Sequence, residues 1–167
     1  EVVEWPSFIS PLWTAKATDE FEAAPIRIVE YGDLLCSDCL YLYEQLKRLK
    51  QEFAGRMNVA FQLFPLEAKC NDVVEKDLHP GACDVHYLAA HDPEKFKDIY
   101  DYIWGNWPPP RGEERVRWIQ ELGEQFGVTE GLTDPETQAL VQELIQTGKE
   151  YEKTADEFSY GIRSTPT

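Results

Sequence analysis

A short interior strand that runs directly into a pair of cysteines constrains this chain more than any other feature. Pro25 precedes Ile26-Arg27-Ile28-Val29-Glu30-Tyr31, a β-branched run closed by Gly32, which predicts a buried strand with Glu30 as its anomaly. After the turn Gly32-Asp33 comes Leu34-Leu35-Cys36-Ser37-Asp38-Cys39. From Cys39 to Ala54, Leu42, Leu46, Leu49 and Phe53 recur at the spacing of one helix face, and Gly55 supplies the stop. Met57 to Phe64 then reads as a second interior strand, with Val59, Phe61 and Leu63 pointing one way and Ala60 and Phe64 the other, until Pro65 ends it. Short connections between such apolar strands fit a right-handed βαβ crossover joining a parallel pair.

The rest of the chain follows a different pattern. From Leu66 to Phe158 the strand signal vanishes, and Ala82 to His91, Pro93 to Trp107, Glu113 to Phe126 and Pro135 to Phe158 predict helices. Trp107-Pro108-Pro109-Pro110-Arg111-Gly112 breaks two of them apart, and Thr133-Asp134-Pro135 has the form of an N-cap with proline at the first helical position. Residues 1–24, with Trp5, Pro6, Phe8, Pro11, Leu12 and Trp13, are too apolar for a floppy tail and too proline-rich for a helix, so they read as a packed N-terminal arm. Trp104, Trp107 and Trp118 read as core of the helical block.

Charge narrows the partners. Sixteen basic against 31 acidic residues leave a formal charge of -15, which repels nucleic-acid phosphates and anionic membrane surfaces. No apolar run approaches the roughly 20 residues of a membrane span, and the chain reads as soluble; a removed signal or anchor would leave no trace in it.

The four cysteines form two pairs of different spacing. Cys36-Ser37-Asp38-Cys39 invites redox or metal chemistry, or a buried structural pair. A thiolate is the reacting form of cysteine, and at a helix start unpaired amides and the dipole favour it. Cys36 stands at that point, as an exposed nucleophile, with Cys39 one turn behind as a shielded resolving thiol. Cys70 and Cys83 would close a loop of about 14 residues, which invites a structural disulfide worth roughly 3 kcal/mol and an oxidising compartment. The rival is a zinc site of Cys36, Cys39, Cys70 and Cys83, with His79. His79, His86 and His91 read as surface or packing residues without chemistry.

Val29-Glu30-Tyr31-Gly32-Asp33-Leu34-Leu35-Cys36-Ser37-Asp38-Cys39 resembles the active-site segment of DsbA-like disulfide oxidoreductases of the thioredoxin superfamily, and Gly161-Ile162-Arg163-Ser164-Thr165-Pro166-Thr167 resembles their cis-proline loop. The resemblance implies an α/β, thioredoxin-like fold with a helical insertion. Residues 25–66 and 159–167 would form the core, and 67–158 the insertion. It implies a protein disulfide oxidoreductase without a cofactor, in a periplasmic or otherwise extracytoplasmic compartment, acting on cysteine-containing protein substrates through Cys36 and Cys39. Sequence alone favours a trans Thr165-Pro166 bond, since only about 5–6 % of X-Pro bonds in folded proteins are cis. The resemblance reverses that, with Pro166 cis against the dithiol and the Thr165 backbone binding an incoming peptide as an added strand. It also implies that Glu30 is a buried acid that passes protons to or from the resolving thiol; from the strand pattern alone it could equally reach solvent.

Phe64-Pro65-Leu66-Glu67-Ala68-Lys69-Cys70-Asn71, with His79-Pro80-Gly81-Ala82-Cys83 after it, is similar to thioredoxin-like domains found beside membrane proteins related to vitamin K epoxide reductase. That similarity implies a quinone-linked membrane partner and a second disulfide, Cys70 to Cys83, structural or serving as an electron relay. The chain departs from the pattern in two places. Ser37-Asp38 lacks the proline or histidine of strongly oxidising relatives, and Asp38 and Asp33 both disfavour the thiolate, so an intermediate redox poise is expected. Relatives continue past the cis-proline into two strands and a helix, so a truncated sheet is expected, or one completed by a dimer or strand swap. A peptide-binding or chaperone-like module with a structural dithiol is the alternative function.

Overall fold

The computed structural model describes residues 23–158 with Thr165 and Pro166, and side chains as far as Lys149; the expected arm up to residue 22 and the segment before Thr165 lie outside it. Strand β1 spans Ile26–Gly32, helix α1 Ser37–Glu52 and strand β2 Met57–Leu63. The strands pair in parallel, Ile26 opposite Met57 through to Gly32 opposite Leu63, with α1 as the connection between them. The mixed α/β arrangement is compatible with a thioredoxin-like fold carrying a helical insertion. Both strands become more enclosed toward their C-terminal ends, where Glu30, Tyr31, Phe61 and Leu63 are buried. The dithiol loop leaves β1 at that enclosed end.

The inward face of α1 differs from the leucine stripe that the spacing predicts. Cys39 and Leu46 are buried, and Tyr43 stacks on Trp104, whereas Leu49 is 37 % exposed. The aromatic cluster of Tyr43, Tyr100, Trp104 and Trp107 decides the orientation, because large rings contribute more buried area than a further leucine. Tyr43 also donates to Asp101 at 3.2 Å, which fixes α1 against the next layer.

That layer is helical. Helix α2 spans Ala82–His91, α3 Phe96–Gly105, α4 Glu113–Phe126 and α5 Pro135–Phe158, with a 3-10 turn at Thr129–Leu132. Eight of ten residues of α2 are buried, so it forms the axis on which α3, α4, α5 and the 3-10 turn pack. Helix α3 is shorter than its periodicity suggests. Asp92 accepts the Glu94 amide at 2.9 Å in a turn that delays the start, and the Asn106 side chain donates to the Tyr102 carbonyl at 2.8 Å where the helix ends. Asp134 caps α5 by accepting the Thr137 amide at 3.1 Å. Helix α5 then returns to the sheet: a Cβ at Gly148 would lie 2.6 Å from the Phe64 ring, so only glycine permits this approach. Among the described residues no helix is long and apolar enough to cross a membrane.

Candidate active site

Cys36 is the N-cap of α1, in extended backbone, and its amide is held by the Asp33 carbonyl at 3.0 Å. The strand ends, the chain turns once, and the helix begins at the sulfur. Cys36 is 5 % exposed, so the expected open nucleophile is an almost covered one, beside a wholly buried Cys39. Cover comes partly from the far end of the chain: the Cys36 thiol donates to the Thr165 carbonyl at 3.4 Å. The Thr165–Pro166 peptide bond is cis, and Thr165 is buried.

The two thiols are pushed in opposite directions. A hydrogen bond from the Cys39 thiol, then the Thr165 side chain and the amides of Cys39 and Asp38 at the helix start, outweigh burial and lower the Cys36 pKa to about 5. Cys39 gives the matching half of that bond. Its own ionisation is opposed first by that donation, then by burial and by the Cys36 charge, so its pKa rises far above the ordinary thiol range. The Asp33 amide donates to Cys39 Sγ at 3.4 Å, fixing the second sulfur from the strand side.

Glu30 lies inside rather than reaching solvent. It is 1 % exposed, and neither carboxyl oxygen has a hydrogen-bond partner among the described residues. Burial, then the charge on Cys36, pushes its pKa up to about 8. Tyr100 feels both Glu30 and Cys39 electrostatically, so strand acid, second thiol and phenol share one enclosed region. Gly32 packs into it as well: a Cβ there would stand 2.4 Å from the Phe61 ring and 3.2 Å from Glu30 Oε1.

The Asp33 carboxylate is wholly buried and bonded to His79 Nδ1 at 2.8 Å. Burial would push its pKa up; the His79 hydrogen bond, the nearby His86 and His79 rings and the Leu35 amide hold it below the ordinary carboxylate value. His79 therefore belongs to the site, which local sequence gave no sign of, since 46 residues separate the pair. His86 is wholly buried and bonds backbone groups, as a packing residue does. Its Nδ1–H donates to the Ala82 carbonyl at 2.7 Å, leaving Nε2 to accept the Leu34 amide at 3.4 Å, two residues before Cys36. Burial holds its pKa below the usual imidazole range, so the ring is neutral. His91 lies away from this cluster, bonded to Thr137 at 2.9 Å.

Cys70 and Cys83 are joined in a disulfide, Cα atoms 6.0 Å apart, which removes both sulfurs from the four-thiolate zinc arrangement. The Glu67 carboxylate braces the closed loop by accepting the Gly81 amide at 2.9 Å and the Cys83 amide at 2.8 Å.

Fold and site together define a class: a thioredoxin-like α/β unit with a polarised dithiol at a helix start. The chain is similar to proteins named probable disulfide bond formation protein D, 30 % identical over 101 residues to that of Bacillus cereus and 29 % identical over 101 residues to that of Bacillus anthracis. Each match covers 59 % of this chain and 42 % of the relative, so it spans less than half the relatives' length. No family model matches. No solved structure matches. These distant relatives support a disulfide oxidoreductase.

Proposed function

We propose that the chain is a thiol-disulfide oxidoreductase that exchanges disulfides with cysteine-containing protein substrates outside the cytoplasm, through Cys36 and Cys39. The observation that carries this reading is the polarised pair itself, one sulfur made acidic by the other's hydrogen bond at the start of α1. In the oxidising direction a substrate thiolate attacks Cys36 of the Cys36–Cys39 disulfide. The Cys36–Cys39 bond breaks, a mixed disulfide forms, and Cys39 leaves as a thiolate that must take a proton. Glu30, held protonated by burial, is the proposed donor. A second substrate thiolate then attacks the substrate sulfur of the mixed disulfide and Cys36 departs as a stable thiolate. The substrate loses two electrons and the dithiol gains them. A quinone-linked membrane protein is the proposed acceptor that takes them on.

Residues 25–66 and 159–167 are the proposed catalytic core and 67–158 the insertion, with 1–24 as an arm. Thr165 and Pro166 are the proposed rest for substrate backbone, supported by the contact between Cys36 and the Thr165 carbonyl. Asp38 stays exposed at the helix start; its amide favours the thiolate, and the proposed effect of its carboxylate is to oppose it, which would set a poise between a strong oxidase and a reductase.

The test is activity. Cys36→Ser should abolish insulin reduction and oxidation of a reduced client, while Cys39→Ser should accumulate the mixed disulfide. A Cys36→Ser variant with undiminished turnover would refute the reading, and equilibration against glutathione at the potential of a strong oxidase would refute the intermediate poise.

A further inference from the structure

The exchange scheme leaves one charged pair beside the dithiol unused. Asp33 spends both carboxylate oxygens, Oδ1 on the Leu35 amide at 2.7 Å and Oδ2 on the Leu66 amide at 2.7 Å and His79 Nδ1 at 2.8 Å. Its backbone meets both cysteines, through the amide to Cys39 Sγ at 3.4 Å and through the carbonyl from the Cys36 amide at 3.0 Å. Asp33 thus connects the two reacting sulfurs to a histidine in a distant loop.

That loop is clasped. The Cys70–Cys83 disulfide closes it, Glu67 binds the Gly81 and Cys83 amides, and the Leu78 and His79 amides both donate to the Leu66 carbonyl, at 3.1 and 3.2 Å. Leu66 in turn gives its own amide to Asp33, so the segment that presents His79 is anchored at both ends of the interaction. The ring is partly open, 24 % exposed, and with Leu35 and Ser37 it lines a groove of about 840 Å³ next to the dithiol. A carboxylate enclosed beside a second negative charge is unfavourable unless a cation balances it.

We propose that His79 is a positioning residue for the reaction of Cys36: as an imidazolium it cancels the Asp33 charge that otherwise opposes a thiolate at the start of α1, and the Cys70–Cys83 loop holds it there. This rests on the oxidoreductase reading. The groups that bear on the pair come from four elements: Asp33 from the loop after β1, Cys36 from the start of α1, Arg115 from α4 and His86 from α2. Burial and Arg115 disfavour the charged His79 ring, and the Asp33 hydrogen bond and the Asp33 and Cys36 charges outweigh them, which raises its pKa above the ordinary imidazole value. Arg115 and His86 also bear on the Asp33 charge, but burial works against charging of the His86 ring, and among the described residues His79 alone bonds the carboxylate through a side chain.

Coupling between two sites is reciprocal, so it is measurable from either end. The first measurement needs no substitution: the His79 ring is titrated by NMR in the full chain with Cys36 and Cys39 reduced, then oxidised, with Cys70–Cys83 closed in both. The expected midpoint is higher in the reduced protein, because oxidation removes the thiolate charge; equal midpoints overturn the proposal. The second follows Cys36 thiolate absorbance against pH in His79→Gln. Its midpoint should rise by about one unit, about tenfold in the ionisation constant, and adding Asp33→Asn should bring it back toward the parent. An unchanged midpoint in His79→Gln, with the parent Cys36 still acidic, strikes His79 alone. A parent Cys36 that titrates as an ordinary thiol removes the oxidoreductase reading and this inference with it.

Discussion

The sulfur of Cys36 stands 3.4 Å from the carbonyl oxygen of Thr165, across 129 residues of chain. A carbonyl accepts from a thiol and repels a thiolate, so this contact belongs to the protonated state. On ionisation the sulfur must turn to its donors, the Cys39 thiol, the Thr165 side chain and the amides at the start of α1.

With a Cys36 pKa of about 5, alkylation by iodoacetamide should rise about tenfold per unit up to that pH and level off above it. A rate still climbing steeply between pH 7 and 8 would contradict the assignment. The same shift has a stability consequence. The folded-state value lies below the ordinary thiol value of 9.0, so the stabilisation of the reduced fold is complete above pH 9 and is lost as pH falls through about 5. Denaturant unfolding of the reduced protein against Cys36→Ser should show a gap that closes across that window.

Glu30 works in the opposite sense. Its folded-state pKa of about 8 lies above its ordinary value of 4.5, so the fold is unaffected by this residue at acid pH and is increasingly penalised as pH rises from 4.5 through 8. Glu30→Gln should match the parent near pH 4.5 and exceed it at pH 9 by on the order of 3–5 kcal/mol. Release of Cys39 should slow by about 10² in the same variant if Glu30 supplies the proton. Stopped-flow fluorescence and unfolding curves at the two pH values check both statements.

Removing the second disulfide tests the clasped loop as a structural device. The double variant Cys70→Ala, Cys83→Ala should lose about 3 kcal/mol in the chain-entropy picture, read from urea midpoints. An unaltered midpoint would show that the Glu67 hydrogen bonds hold the loop unaided.

Gly148→Ala sets two effects against each other. Alanine favours a helix by about 1 kcal/mol over glycine. The added methyl would meet the Phe64 ring at 2.6 Å and Tyr31 at 3.4 Å, and overpacking of that kind costs about 1–3 kcal/mol. Net destabilisation of about 1 kcal/mol is expected in thermal unfolding, and a gain in midpoint would mean that Phe64 yields freely.

How much of this was legible in the sequence depends on the range of the interaction. Strand β1, helix α1 and strand β2 rest on local periodicity and on Pro25, Gly55 and Pro65, and their bounds follow those residues closely. Helices α2 and α4 likewise begin and end, and α5 begins, where glycine, proline or an N-cap marks them. The face of α1 was misjudged at Leu49 because leucine spacing carries no information about Tyr43 seeking Trp104 on another helix. Cys36 and Cys39 were legible because one motif holds both. The partnership of Asp33 with His79 was not: nothing at either position announces the other, and only the fold brings the clasped loop back to the dithiol.

His86 gives the molecule a weak point toward acid. The Leu34 amide has an acceptor there only while the ring lacks its second proton, and against burial that proton would find only the Gly32 carbonyl, 3.5 Å from Nε2. Below the usual imidazole value of 6.5 the unfolded chain takes up the proton more readily than the native one, so acidification works against the segment leading to the dithiol. The order of the loop ahead of Cys36 in a souring medium thus depends in part on one interior ring.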